Sequence, residues 1–242
     1  MSGPRVLREP NGRWRMWYYG RDCAFGPDIP LPTGHIGLAE SDDGVHWTRV
    51  PGPMTSGAVL DPHPDPHRFD SAHIGASDVQ RDSDGQLRLW YFGGDHERIR
   101  LGPFDVRGLR LRPGCAVSND GLNWRRIDGQ FRGALLDAGP PGTFDSAGCA
   151  FPQVVHGPGD IQRMYYHSLD PARMVFAVGV AESTDGMHWQ RRGEVLGPGQ
   201  PGAFDALGVG SRHVIRYRFD GRERWLMFYE GVTREHHSIG LA

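Results

Sequence analysis

Apolar and polar residues alternate along this chain in short runs, and the runs recur. Aromatic and β-branched stretches appear four times: Trp14-Arg15-Met16-Trp17-Tyr18-Tyr19-Gly20, Leu87-Arg88-Leu89-Trp90-Tyr91-Phe92-Gly93, Gln162-Arg163-Met164-Tyr165-Tyr166-His167 and Trp225-Leu226-Met227-Phe228-Tyr229-Glu230-Gly231. Such runs, bounded by Gly, Asn and Asp, predict strands. Each is followed by a small-residue alternating run: Ile36 to Ser41, Cys115 to Ser118, Val178 to Ser183, and Ser238 to Ala242. The first three of these lead into one pattern, D-G-x-[HN]-W, at Asp43-Gly44-Val45-His46-Trp47, Asp120-Gly121-Leu122-Asn123-Trp124 and Asp185-Gly186-Met187-His188-Trp189. No stretch carries a useful helical period. Recurrence at long intervals means one supersecondary unit used several times.

A third signature fixes where each unit starts. Phe69-Asp70, Phe144-Asp145 and Phe204-Asp205 each precede a small-residue strand that leads to Asp78, Gln153 or His213. The segment Pro4-Arg5-Val6-Leu7 aligns with these strands without a Phe-Asp before it. Each unit therefore reads as four antiparallel strands, which is a propeller blade. Residues 1–242 form one all-β domain, with blade units at 4–50, 69–127, 144–192 and 204–242. The fourth unit lacks its last strand, so an incomplete ring, a partner chain or a shortened chain is expected. Open strand edges invite association, and a homodimer is one way of covering them.

Composition adds exclusions. The 35 Gly and 19 Pro cluster between strands, as a turn-rich fold requires. A formal net charge of −2 supplies no field that would attract nucleic acid. No run approaches the ~18 apolar residues of a membrane span. No apolar leader core follows Met1. Three cysteines, Cys23, Cys115 and Cys149, make no disulfide framework. A cytoplasmic location is expected on these grounds. Long inserts at Asp22 to Thr33, Leu60 to Arg68, Asp95 to Arg112 and His167 to Val175 are placed to carry binding function. The charged Asp95-His96-Glu97-Arg98-Ile99-Arg100 stretch is expected to overhang the channel mouth.

The repeated small-strand, aromatic-strand and Ser-x-Asp-Gly-x-x-Trp order resembles the five-bladed propellers of the arabinanase, levansucrase and invertase group, glycoside hydrolase families 43, 32 and 68. The resemblance covers nearly the whole chain. It implies a five-bladed architecture with about four units recognisable, and an active site at the mouth of the central channel. It also implies a carboxylate base or nucleophile with a second carboxyl as general acid. Asp78 resembles the family's aspartate at the start of an inner strand, with Val79 where the family has Pro. Glu230, at the position of Tyr19, Phe92 and His167, is the candidate acid.

Repetition separates structure from chemistry. Asp70, Asp145 and Asp205 occupy one repeat position and read as structural, bonding backbone N–H groups between blades. Asp43, Asp120 and Asp185 suit a tight turn. Trp47, Trp124 and Trp189 suit packing. The residues that break the repeat are Arg5, His73, Asp78, His96, Gln153, His167, Arg212, His213 and Glu230. In the hydrolase reading Asp78 and Glu230 are catalytic and face one cavity. Arg5, His73, Gln153, His167, Arg212 and His213 then bind the glycoside, with Trp17, Trp90 and Tyr166 bordering the pocket. No cofactor is required, although His73, Asp78 and His213 are a candidate set for a divalent metal. Two other readings stay open. One is a non-hydrolytic enzyme using His and Asp on a small metabolite. The other is a non-catalytic ligand-binding propeller, in which Asp78 and Arg212-His213 form a salt-bridged plug.

Overall fold

The computed structural model describes residues 2–25, 29–157 and 159–242. The Asp22 to Thr33 insert thus lies partly outside the described residues, at 26–28. Blade one pairs β1 (Ser2–Arg8), β2 (Trp14–Phe25), β3 (Pro32–Ser41) and β4 (Thr48–Val50) in that order. Blade two is built from β5 (His73–Arg81) and β6 (Leu87–Gly94). A separate hairpin, β7 (Arg98–Leu101) and β8 (Phe104–Arg107), leaves it before β9 (Leu111–Ser118) and β10 (Arg125–Ile127) complete the sheet. Blade three pairs β11 (Ala150–His156), β12 (Gln162–Asp170), β13 (Val175–Ser183) and β14 (Gln190–Leu196). Blade four has three strands, β15 (Val209–Phe219), β16 (Arg222–Val232) and β17 (His237–Leu241). Every strand pair in the four blades is antiparallel. The chain is therefore an all-β propeller, with four blades among the described residues and no counterpart there to a fifth.

Register explains how the blades stack. Arg5 pairs with Trp17, Asp78 with Trp90, Gln153 with Tyr165 and His213 with Phe228. The second-strand aromatic at this level packs against the next blade. Trp17 is fully buried and donates its indole N–H to the Gly121 carbonyl of blade two at 3.0 Å. Trp90 packs with Val154, Met164 and Trp189 of blade three. Tyr165 joins Val209, Met227 and Tyr229 of blade four. Phe228 has no following blade, and it is 40% exposed beside exposed Ile239 and Leu241. Sheet packing runs from blade one to two, two to three and three to four. Nothing comparable joins blade four to blade one among the described residues, so the ring is open there.

Within a blade, the repeated Phe-Asp closes a buried clamp. Asp70 accepts hydrogen bonds from Tyr91 Oη at 2.9 Å and Arg126 Nε at 2.7 Å. Asp145 accepts from Tyr166 Oη and Arg191 Nε, both at 2.8 Å. Asp205 accepts from Tyr229 Oη at 2.9 Å; blade four has no fourth strand to supply the arginine. Phe69, Phe144 and Phe204 stack on the same three tyrosines. These aspartates are structural as expected, but their side chains bind side chains rather than the inter-blade backbone. Burial favours this, because a dry carboxylate needs a cation or a strong donor.

The D-G turns are also alike in detail. Ser41, Ser118 and Ser183 each donate to the turn aspartate at 2.9 Å. That aspartate caps two backbone N–H groups, and the glycine takes a φ of +77°, +76° or +73°. Hydrogen bonds from residues 46, 123 and 188 hold the three carboxyls well below their usual range.

The clamp makes a differential prediction. Tyr166→Phe removes one hydrogen bond to a buried carboxylate and is expected to cost about 1.5–3 kcal/mol. Tyr18→Phe, at the equivalent position of blade one where no Phe-Asp exists, is expected to change stability by under ~0.5 kcal/mol. Urea denaturation of the two variants checks this.

Candidate functional site

Four inner strands meet at the propeller axis, and each carries one extra residue. The register shifts fall between Ser2 and Arg5, Ala76 and Asp78, Ala150 and Gln153, and Gly210 and His213. In blades one, three and four the residue after the last regular pair takes a positive φ: Gly3 at 55°, Phe151 at 52° and Ser211 at 21°. A bulge of this kind re-aims the side chains that follow it. Arg5, Asp78, Gln153 and His213 consequently occupy one level of the hub, as the sequence alignment of the blades implies.

The hub is stitched from blade to blade. Arg5 Nε donates to the Ser77 carbonyl. Gln80 donates to the Val154 carbonyl. Gln153 accepts from Val214 N–H at 2.8 Å and donates to the Val214 carbonyl at 3.0 Å; its amide also lies 3.3 Å from His213 Nδ1. Arg212 reaches back to the carbonyls of Phe151 and Tyr165. Arg5, Gln153 and Arg212, expected as glycoside ligands, thus spend much of their hydrogen-bonding capacity on neighbouring blades.

Charge in the hub does not balance. Asp78 is 7% exposed, and Gln80 donates to it at 2.7 Å. Burial pushes its carboxyl up to about 6, against the pull of Gln80, Arg5 and Arg212. Burial pulls Arg212 down to about 9, reinforced by Arg5 and opposed by Asp78. His213 is lowered by burial and by both arginines. Two guanidinium groups therefore face one carboxyl, and Arg212 Nε, Ser77 Oγ and Trp90 Nε1 are buried without a partner among the described residues. An arrangement with spare donors and excess positive charge favours an anionic or oxygen-rich ligand.

The other expected site residues divide. His73 is 2% exposed and lies 2.7 Å from the Gly108 carbonyl, where it anchors the insert of blade two. It does not join Asp78 and His213, and no group of three metal-ligating side chains is assembled among the described residues. Gly148 and Gly208, which stand where His73 does, lie too close to the backbone of Leu111 and Phe176 to accept a side chain. Trp17 and Tyr166 are fully buried, because the next blade covers one and the Asp145 clamp holds the other. Trp90 is buried directly opposite Asp78 in register. Glu230 lies 2.6 Å from His237 Nδ1 and lines a cavity of about 360 Å³ on the open face of blade four, with Ser211, His213 and Phe228. Asp78 does not line that cavity; His213 is the residue common to both surroundings. The expected single cavity for Asp78 and Glu230 is not formed, since Asp78 is sunk between blades while Glu230 faces the gap in the ring. His96 lies in the insert of blade two, where the buried pair Arg112 and Asp95 is extended by the half-buried Glu97 and the exposed Arg132 into an ion-pair network.

A second cavity, of about 220 Å³, opens beside the hub between blades two and three. Phe92, Leu101, Leu111, Phe151, His167 and Phe176 line it. Phe151 joins it to the hub: its ring lies 4.2 Å from Phe92 and 4.8 Å from His167, and its carbonyl accepts from Arg212. The sequence pattern hid Phe151, which sits in a strand otherwise marked by small residues. Its signal was a bulky residue where blades one and four have Gly3 and Ser211.

No protein-family model matches the chain. The structure is similar to beta-1,2-mannobiose phosphorylase from Listeria innocua, with a TM-score of 0.66, 14% identity, and coverage of 99% of this chain and 70% of the other. It is similar to a thermostable family-43 glycoside hydrolase (TM-score 0.64, 16% identity, 99% and 67% covered). It is also similar to Zg3597, a family 117 glycoside hydrolase of Zobellia galactanivorans (0.61, 16%, 99% and 68%). The fold is that of the glycosidase-like β-propellers. Two uncharacterised proteins of Mycobacterium tuberculosis, from strains CDC 1551 and H37Rv, are each 30% identical over 184 residues. Those matches cover 76% of this chain, and the chain spans about half the length of these relatives. No helix among the described residues is long and apolar enough to cross a membrane.

The raised Asp78 pKa makes a prediction about pH. The folded state favours the neutral carboxyl, so this contribution to stability is full below the ordinary aspartate value of 3.8 and is lost as pH rises through about 6. Asp78→Asn is expected to flatten that part of the stability profile between pH 4 and 7. Thermal denaturation of both proteins across the window measures it.

Proposed function

We propose that this propeller acts on a glycoside at its hub, with Asp78 as the proton donor. The observation that carries the reading is a buried carboxyl raised to about 6 among two arginines, on a glycosidase-like fold. A carboxyl that holds its proton up to about pH 6 suits a general acid. Asp78 would protonate the glycosidic oxygen as the bond to the anomeric carbon breaks. This changes the role read from the sequence, where Asp78 was the base or polar anchor and Glu230 the acid.

A second reading concerns the group that attacks the anomeric carbon. Hydrolysis uses a second carboxylate to activate water or to attack. Arg5, Gln153 and His213, at the other three inner-strand positions, provide none. Inorganic phosphate brings its own nucleophilic oxygen and needs cations to hold it. Arg5 and Arg212 fit that need, with the neutral His213 imidazole beside them as a hydrogen-bonding group, which favours phosphorolysis over hydrolysis. The glycosyl group would then leave as a sugar phosphate, and the Asp78 proton would leave with the released alcohol.

Chromogenic glycosides assayed with and without inorganic phosphate test both readings. Asp78→Asn is expected to lower kcat/KM by roughly 10²–10⁴-fold. Wild-type activity is expected to fall as pH rises through about 6, when Asp78 loses its proton. Turnover that requires phosphate and survives Glu230→Gln supports phosphorolysis. Turnover in water alone that Glu230→Gln abolishes returns Glu230 to the chemistry. Full activity in Asp78→Asn removes the hub assignment.

A further inference from the structure

The cavity beside the hub has walls that a sugar ring would not select. Three phenylalanines and five leucines form most of it, with Arg21 at the rim. A sugar presents hydroxyls on every edge, and each would lose hydrogen bonds to water against such walls. Its buried polar side chains are Ser168, whose hydroxyl donates to the Leu169 carbonyl at 3.5 Å, and His167. His167 is 8% exposed, lines the cavity, and neither ring nitrogen bonds to another described residue. Buried polar groups are usually paired, so an unpaired imidazole facing a cavity marks a missing partner.

The partner's chemistry follows from the imidazole's state. Burial and the nearby Arg212 push His167 down to about 3, so it is neutral at any ordinary pH. A neutral imidazole offers one donor and one acceptor, and it does not attract an anion. A hydroxyl both donates and accepts, so it satisfies the site in either tautomer. The size is also limiting. A cavity of ~150 Å³ lined by Leu, Ile and Phe holds one benzene ring. At about 220 Å³, this one holds a single substituted ring. Phe151 and Phe176, whose rings lie 4.8 and 5.7 Å from the imidazole, supply the faces and edges that an aromatic ring packs against.

We infer that the cavity lined by Phe92, Phe151, His167 and Phe176 is a binding site for an uncharged aromatic ring bearing a hydroxyl. Because Phe151 joins this cavity to the hub, the ring is the aglycone of the glycoside; that second step rests on the function proposed above. The preferred substrates are then phenolic glycosides rather than oligosaccharides.

Titration calorimetry with phenol, benzene and benzoate on the full chain tests the site itself. Phenol is expected to bind at least tenfold more tightly than benzene, and benzoate not to bind. His167→Phe keeps the ring packing and is expected to bring the phenol and benzene affinities together. Leu169→Trp, which fills the cavity from its rim, is expected to abolish binding of both while circular dichroism stays unchanged. Equal binding of phenol and benzene to the wild type, or no binding of either, overturns the site. Phenol binding that survives Leu169→Trp also overturns it. Competition separates the two steps. Phenol that binds without inhibiting turnover of an aryl glycoside removes the aglycone assignment and leaves the site. Asp78-dependent turnover in a protein that does not bind phenol removes the site and leaves the proposed function.

Discussion

Burial of one aromatic side chain on each of blades one, two and three by the blade that follows holds this molecule together. Trp17, Trp90 and Tyr165 occupy the same register position and are covered in turn by blades two, three and four. The buried Trp17 and Trp90 contribute about 1.5–3 kcal/mol each, more than any exposed ion pair on the surface, and the partly buried Tyr165 less. In blades two, three and four the Phe-Asp clamp supports the arrangement from inside the sheet by orienting the tyrosine next to that aromatic position. Where the covering blade is absent, Phe228 stands exposed, and so do Ile239 and Leu241 beside it.

Face-to-face stacking has a consequence at the axis. It brings the inner strands close enough for Arg5, Gln80, Gln153 and Arg212 to bond the backbone of a neighbouring blade. The same proximity removes water from Asp78 and Arg212. Their pKa values move toward neutrality from opposite sides because burial opposes charge on both. The hub thereby acquires a carboxyl that keeps its proton up to about pH 6, and cations with donors to spare. These are chemical capacities that neither residue has in water.

Much of the fold was legible along the chain. The aromatic runs, the D-G turns and the Phe-Asp pairs are each set by local requirements, namely strand propensity, a left-handed glycine and a dry carboxylate's need for partners. Such requirements recur with the blade and leave a visible period. The equivalence of Arg5, Asp78, Gln153 and His213 was legible for the same reason. The candidate site was legible only in part. His73 looked informative for replacing a glycine, yet it anchors an insert. Tyr166 looked like a pocket wall, yet it is clamped to Asp145. Phe151 drew no notice, because its importance comes from a bulge that turns its ring toward Phe92 and His167.

The sequence by itself determined the repeating unit, the order of its strands and the level at which odd residues meet the axis, because each depends on neighbours within one blade. The tertiary structure alone decided which of those residues share a cavity and which hold a proton. Asp78 responds to Arg5 and Arg212, and His167 to Arg212 and the rings around it, across distances in the chain that no local pattern encodes. Desolvation is a property of what surrounds a group. For a hub residue, the surroundings come from other blades.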